Sequence, residues 1–270
     1  MINGMNIFLE HIYEVCAQRS MTIEQALNSA RSFGFSGIEC DFWRLSERAL
    51  IKALFERCGM HAESVYCGFD FAHDGRENSL ARVDECLEAA EYFGARKVLA
   101  IPGFAEGEDE LSRVVECLTE MCRRAALRGI TVTVEDYDDS RSPCSTTEKL
   151  LYLLENVSGL KLTFDTGNFV YSLEHVSEAY DRLSPYIAHV HLKDRAYTRL
   201  HEGDESKADL SGRLMYPAPV GGGSVDIRGI LARLVADGRS VSVSAEHFGA
   251  ADQLSFMESS ARYIRGITGV

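Results

Sequence analysis

Residues 130–165 read ITVTVEDYDDSRSPCSTTEKLLYLLENVSGLKLTFD. Two short β-branched runs, ending at Glu135 and Asp165, flank one amphipathic stretch, STTEKLLYLLENV, with leucines at helical spacing. Strand, helix and strand in that order form a βαβ unit, the building block of a parallel sheet.

The same alternation extends outward to both ends of the chain. MNIFLEHIY (5–13) reads as the first strand. A helix then opens at Thr22, with Gln25 completing a capping box and Gly34 closing it. SGIECDF is the second strand, and SERALIKALFERCG is its helix, with Ser46 as expected cap and Gly59 as stop. HAESVYCGF and KVLAIPG are strands three and four, each followed by a helix, over about 78–94 and about 108–129. After LKLTFD comes the helix LEHVSEAYDRLSPY, and after the seventh strand, IAHVHLKD, a long loop leads to DIRGILARLVADG. SVSVSAEHF is the eighth strand and a last helix runs over about 251–267. Eight strands, eight helices and no glycine-rich turn after the first strand exclude an open nucleotide-binding sheet. They point to an α/β fold, one (β/α)8 TIM barrel with a parallel eight-stranded sheet spanning residues 1–270 as a single domain.

Composition sets limits on function. The net charge is −13, which repels a phosphate backbone and excludes a general nucleic-acid partner. The eight cysteines lie mostly in apolar stretches without CxxC pairs, so they read as reduced core residues of a cytoplasmic protein. No basic segment precedes an apolar run at the N-terminus, and no apolar run is long enough to span a membrane.

In this fold chemistry belongs at the C-terminal ends of the strands. Four consecutive strands end in ionisable residues: TVTVE at Glu135, LTFD at Asp165, HVH at His191 and SVSAE at Glu246. Neighbouring strands lie about 5 Å apart, so these side chains can converge. Three carboxylates so close would repel, and one divalent cation removes the conflict. Three oxygen ligands and one imidazole suit Mn²⁺ or Mg²⁺ first, with Co²⁺ or Zn²⁺ as alternatives.

The strands VTVEDY, LTFDTGN, AHVHLKD and SVSAEHF resemble those of the xylose-isomerase-like sugar isomerase/epimerase family, which includes ketose 3-epimerases, inosose isomerase and hydroxypyruvate isomerase. The resemblance implies that Glu135, Asp165, His191 and Glu246 are the metal ligands and that Glu135 and Glu246 double as the catalytic proton-transfer pair. It also places Asn168 where many epimerases carry a substrate-contacting His, and Tyr197 where ketose 3-epimerases have an Arg. Endonuclease IV shares the barrel, but Asn168, Met215 and Pro217 stand where its further metal ligands would be.

The expected chemistry is proton transfer on a sugar, sugar phosphate or polyol ketone through an enediolate, giving an isomerase or epimerase. Loss of a β-hydroxyl from an inosose or a dehydroshikimate-type acid would instead make a lyase, and a non-catalytic sugar-binding barrel is the third reading. Asn168, Lys193, His189 and Trp43 are the expected substrate contacts: Lys193 for an oxygen or anionic group, His189 because it shares a face with His191, and Trp43 as an aromatic floor. For each there is a bland alternative: an ion pair for Lys193, a hydrogen-bonded core role for His189, and packing for Trp43. Gly221–Ser224 could cradle a phosphate or merely turn into a helix. Pairing of barrel ends would give a homodimer.

Overall fold

The computed structural model describes residues 2–269. Successive side chains of a strand point to opposite faces, so each strand gives one row to a barrel lumen and one to the surrounding helices. The outer rows are apolar and buried: Val132 and Val134, Leu162 and Phe164, Val190 and Leu192, Val243 and Ala245. That hydrophobic layer between sheet and helices is the main core.

The chain runs β1 (Ile2–Phe8), α1 (Leu9–Arg19), α2 (Ile23–Phe33), β2 (Gly37–Asp41), α3 (Arg48–Arg57), β3 (His61–Gly68), α4 (Arg76–Phe93), β4 (Lys97–Ile101), α5 (Glu108–Leu127) and β5 (Thr131–Glu135). It continues with α6 (Thr147–Asn156), β6 (Lys161–Asp165), α7 (Val176–Leu183), β7 (Ile187–Ala196), β8 (Lys207–Ala208), β9 (Leu214–Ala218), α8 (Ile227–Ala236), β10 (Val241–Glu246) and α9 (Gln253–Thr268). Strands β1 to β7 pair in order, and β10 pairs in parallel with both β1 and β7, closing an eight-stranded parallel barrel. This is the (β/α)8 TIM barrel, and among the described residues it carries nine α-helices. No helix among them is long and apolar enough to cross a membrane, and all eight cysteines are free.

Three local expectations change. The first strand stops at Phe8, and Leu9–Arg19, half of which reads equally well at period two, is a helix burying Leu9, Ile12 and Val15. Ser46 does not cap α3, whose N-cap is Glu47 with no side-chain hydrogen bond. The long connection after the seventh strand has structure of its own: β7 runs on to Ala196, β9 pairs antiparallel with it, and β8 with β9. Thr22 forms the capping box with Gln25 as expected.

The lumen row is polar. Asn6, Glu39, Ser64, Thr133, Thr163, His189 and Ser244 are buried there. Glu39 is the hub. His189 Nε2 donates to it at 2.7 Å, Ser244 Oγ at 2.6 Å, and Ser64 Oγ also donates to it. One level down, Ser242 Oγ lies 2.9 Å from His189 Nδ1 and accepts from Lys97 Nζ at 2.9 Å. A buried charge needs such satisfaction, because an unpaired one in this setting costs several kcal/mol, about 3–5 when one partner is removed. The network forms a hydrogen-bonded floor beneath the strand ends.

Candidate metal centre

Toward the C-terminal ends of the strands from that floor, Glu135 ends β5, Asp165 ends β6, His191 sits on β7 and Glu246 ends β10. The strand register puts Asp165 level with His191, and His191 level with Ser244, two residues before Glu246. Each of the four offers one ligand atom, and these atoms all lie within 4.8 Å of one another. His191 Nδ1 stands 2.9 Å from Glu135 Oε2 and 3.3 Å from Glu246 Oε2. Asp165 Oδ1 is spent on the backbone N–H groups of Gly167 and Asn168, at 2.6 and 2.9 Å. Its other oxygen, Oδ2, is buried without a hydrogen-bond partner, as is His191 Nε2.

The electrostatics follow from crowding. Burial, reinforced by the neighbouring carboxylates, pushes Asp165 up to about 8. Burial raises Glu135 as well, with His191 opposing and Glu246 adding to the rise. Burial would also raise Glu246, but Lys193 and His191 outweigh it and hold this carboxyl well below its usual range. Lys193 Nζ is 2.5 Å from Glu246 Oε1 and 3.8 Å from Asp165 Oδ2. Once the three carboxyls are ionised and His191 is neutral, the state a metal requires, three carboxylates against this one ammonium leave two negative charges, which a divalent cation would cancel. With an orphaned carboxylate oxygen and a three-oxygen, one-imidazole donor set, the residues fit such an ion.

Beside the cluster opens a cavity of about 430 Å³, with Glu135, Asn168, Lys193 and Glu246 in its wall. Its apolar wall is Phe8, Tyr66, Leu99, Ile101 and Phe248, and its polar wall includes Tyr137, Asp138, Arg195 and Lys207. The expected substrate contacts separate here. Asn168 lines the cavity; its Nδ2 donates to the Asp136 carbonyl at 2.8 Å and its Oδ1 is buried without a partner. Lys193 lines it too. His189 lies in the floor network instead, its ring edge-on to His191 with centroids 5.3 Å apart. Trp43 is 57% exposed under the Arg82 guanidinium and is not among the lining residues. It sits in a 3₁₀ turn beyond the end of β2, out of the lumen row, so the aromatic surface comes from Phe8, Tyr66 and Phe248.

Sequence reading missed Arg195, Asp138 and Lys207. Arg195 was within reach of the period-two rule, since His191, Lys193 and Arg195 fall on one row of β7. Asp138 and Lys207 come from loop and hairpin and carry no such signal. The glycine loop is also resolved. Asp194 Oδ2 accepts from the N–H groups of Gly221 and Gly223 at 3.0 and 2.9 Å, and Oδ1 from Val225 at 3.1 Å. The loop amides thus already hold an anion, one supplied by the chain. Gly221 takes φ +81°, and a Cβ on Gly223 would collide with the Asp194 carboxylate, so both positions require glycine.

The model of the xylose isomerase-like TIM barrel family matches residues 27–266, and the chain belongs to that family. No curated protein sequence matches it. Among solved structures it is similar to the probable 3-DHS dehydratase AsbF involved in petrobactin synthesis from Bacillus anthracis, with TM-score 0.76, 17% identity, and coverage of 97% of this chain and 98% of that one. It is also similar to D-psicose 3-epimerase with D-tagatose from Clostridium cellulolyticum H10, with TM-score 0.76, 14% identity, and coverage of 98% and 99%. A third is a xylose isomerase-like TIM barrel protein from Mycobacterium smegmatis in complex with magnesium, with TM-score 0.70, 20% identity, and coverage of 90% and 87%. At these identities the likeness is one of fold.

Proposed function

We propose that this chain is a divalent-metal-dependent isomerase or epimerase that moves a proton on the carbon beside the carbonyl of a sugar, sugar phosphate or related polyol ketone. The observation that carries this reading is the meeting of four ligand atoms within 4.8 Å at the strand ends, beside a cavity that two of the same residues line. Glu135, Asp165, His191 and Glu246 would hold the ion, which when bound acts as a Lewis acid toward the substrate carbonyl and acidifies the neighbouring C–H. Glu135 and Glu246 occupy the two ends of a four-strand arc, β5, β6, β7 and β10, and so approach a bound carbon from two sides. One carboxylate takes the proton, leaving an enediolate, and the other returns a proton to the opposite face or to the next carbon. The first outcome is epimerisation and the second aldose–ketose isomerisation. Asn168 and Lys193 orient substrate oxygens, while the ring of His189 in the floor packs edge-on against that of His191.

The test is solvent exchange. Protein loaded with Mn²⁺ and incubated with ketoses in D₂O should place deuterium on the carbon next to the carbonyl, read by NMR. Glu246→Gln should lower that rate by at least about 1,000-fold while the far-UV spectrum and melting profile stay close to wild type. Absence of exchange with ketoses, cyclitols and phosphate esters alike would sink the reading. The basic side chains in the cavity wall favour a second one, in which the same proton abstraction is followed by loss of a β-hydroxyl from a keto acid. A conjugated product would then absorb in the ultraviolet.

A further inference from the structure

The cavity wall holds more positive charge than the cluster of carboxylates uses. Lys193 is committed to Glu246 and Asp165. Arg195 and Lys207 are not: both pair with one carboxylate, Asp138, at 3.3 and 2.8 Å. Arg195 lies two residues beyond Lys193 on the same row of β7, and its side chain is only 8% exposed. A guanidinium has five N–H donors in a rigid fork. The bond from Nη2 to Asp138 is long, and Nε is buried with no partner at all. Lys207, on β8, reaches the same carboxylate from the hairpin side, with its side chain 43% exposed at the mouth. Glu205 also lines this cavity but is exposed on the rim, where water screens its charge.

Arg195 and Lys207 share one carboxylate in the wall of a substrate-sized cavity, and the buried Arg195 Nε has no acceptor, so an anionic oxygen would satisfy this wall better than a neutral hydroxyl. The glycine loop after β9 offers no alternative anchor for an anion, because Asp194 already takes its amides.

We propose that the substrate carries an anionic group, a carboxylate or a phosphate, seated on Arg195 and Lys207 beside Asp138, while its carbonyl end reaches the Glu135–Glu246 cluster. The proposal rests on the reading of that cluster as the reaction centre and narrows the substrate to acids and phosphate esters. Arg195 would then determine specificity through a fork-to-oxygen contact, and Lys207 through charge at the mouth.

Calorimetric titration with three six-carbon ketoses tests it: D-fructose, its carboxylated relative D-fructuronate, and D-fructose 6-phosphate. At least one anion should bind about tenfold or more tightly than D-fructose, and which of the two does so identifies the group. Lys207→Gln should weaken that preference, and the double change Arg195→Gln with Lys207→Gln should erase it, with anion affinity falling further than D-fructose affinity and Mn²⁺ affinity unchanged. Because Lys207 is exposed, its single variant keeps the test alive should the Arg195 change disturb folding. Equal binding of all three ketoses, or a preference that survives in Lys207→Gln and the double variant, overturns the proposal. Mn²⁺ uptake is titrated separately. A protein that takes up no Mn²⁺ refutes the metal-dependent reading, and the same three titrations on metal-free protein still decide whether the basic wall selects anions.

Discussion

Asp165 shows how one side chain can carry the chemistry of the whole cluster. Burial lifts its carboxyl to about 8, far from the ordinary 3.8, so the metal-free protein binds a proton there across the neutral range. The sign follows directly. An acid whose folded pKa lies above its unfolded one stabilises the fold below that window and loses the contribution as pH rises through it. Metal-free protein should therefore soften progressively from about pH 4, near the ordinary carboxyl value, to about pH 8, and a divalent ion must displace the proton in order to bind. We expect Mn²⁺ affinity to climb with pH and level off above about 8, and the rise in melting temperature on adding Mn²⁺ to be larger at pH 8 than at pH 6. Titrations in two buffers of different ionisation enthalpy would register the released proton, and a pH-independent affinity would contradict the assignment. Asp136, which reading the sequence did not single out, shares this crowding: it is buried behind Asp165 and is pushed well above the usual carboxylate range by burial and by Asp165 itself.

Among the elements, β7 and the hairpin that follows it decide what the mouth of the barrel looks like. Asp194, next to the cavity-lining Arg195, ties the glycine loop through the amides of Gly221, Gly223 and Val225. Asp194→Ala should strand those N–H groups and cost about 3 kcal/mol, seen as a lower melting temperature and as faster proteolysis between β7 and α8. Asp194→Asn, which keeps an acceptor oxygen, should cost less. The strands were legible because a buried outer row and a lumen row alternate without interruption, as in TVTVE and SVSAE. Helix α1 was not. Leu9, Ile12 and Val15 form a helical stripe, but His11 and Tyr13 keep a period-two pattern alive, and the N-cap, Phe8, makes no side-chain bond to mark a start. The β8–β9 hairpin was hidden for a different reason: β8 is two exposed residues, and Pro217 inside β9 argues against a strand even though Met215 and Ala218 are buried. The four strand-end residues could be named from the sequence because closure of a parallel sheet dictates where strand ends go. Nothing comparable dictates which side chains of a 30-residue connection fold back over them, and Asp138, Arg195 and Lys207 meet only in three dimensions.

For the molecule as a whole, the polar lumen is the unusual investment. Glu39 from β2, Ser64 from β3, His189 from β7 and Ser244 from β10 satisfy one another in place of an aliphatic plug. His189 and neighbouring hydroxyls overcome the effect of burial and hold Glu39 down to about 2, so it stays ionised inside the barrel. Glu39→Leu, which leaves His189 and Ser244 without their acceptor, should destabilise by about 3–5 kcal/mol, read as a lower urea midpoint at unchanged slope. An unchanged midpoint would mean the network is incidental. The partners also lie far apart along the chain: Glu39 and His189 by 150 positions, Asn6 and Ser244 by 238. During synthesis, then, the early strands emerge carrying polar groups whose acceptors and donors have yet to be made, and their desolvation stays unfavourable until β10 arrives. The barrel is thereby biased toward late, concerted closure, with few half-built forms stable enough to persist.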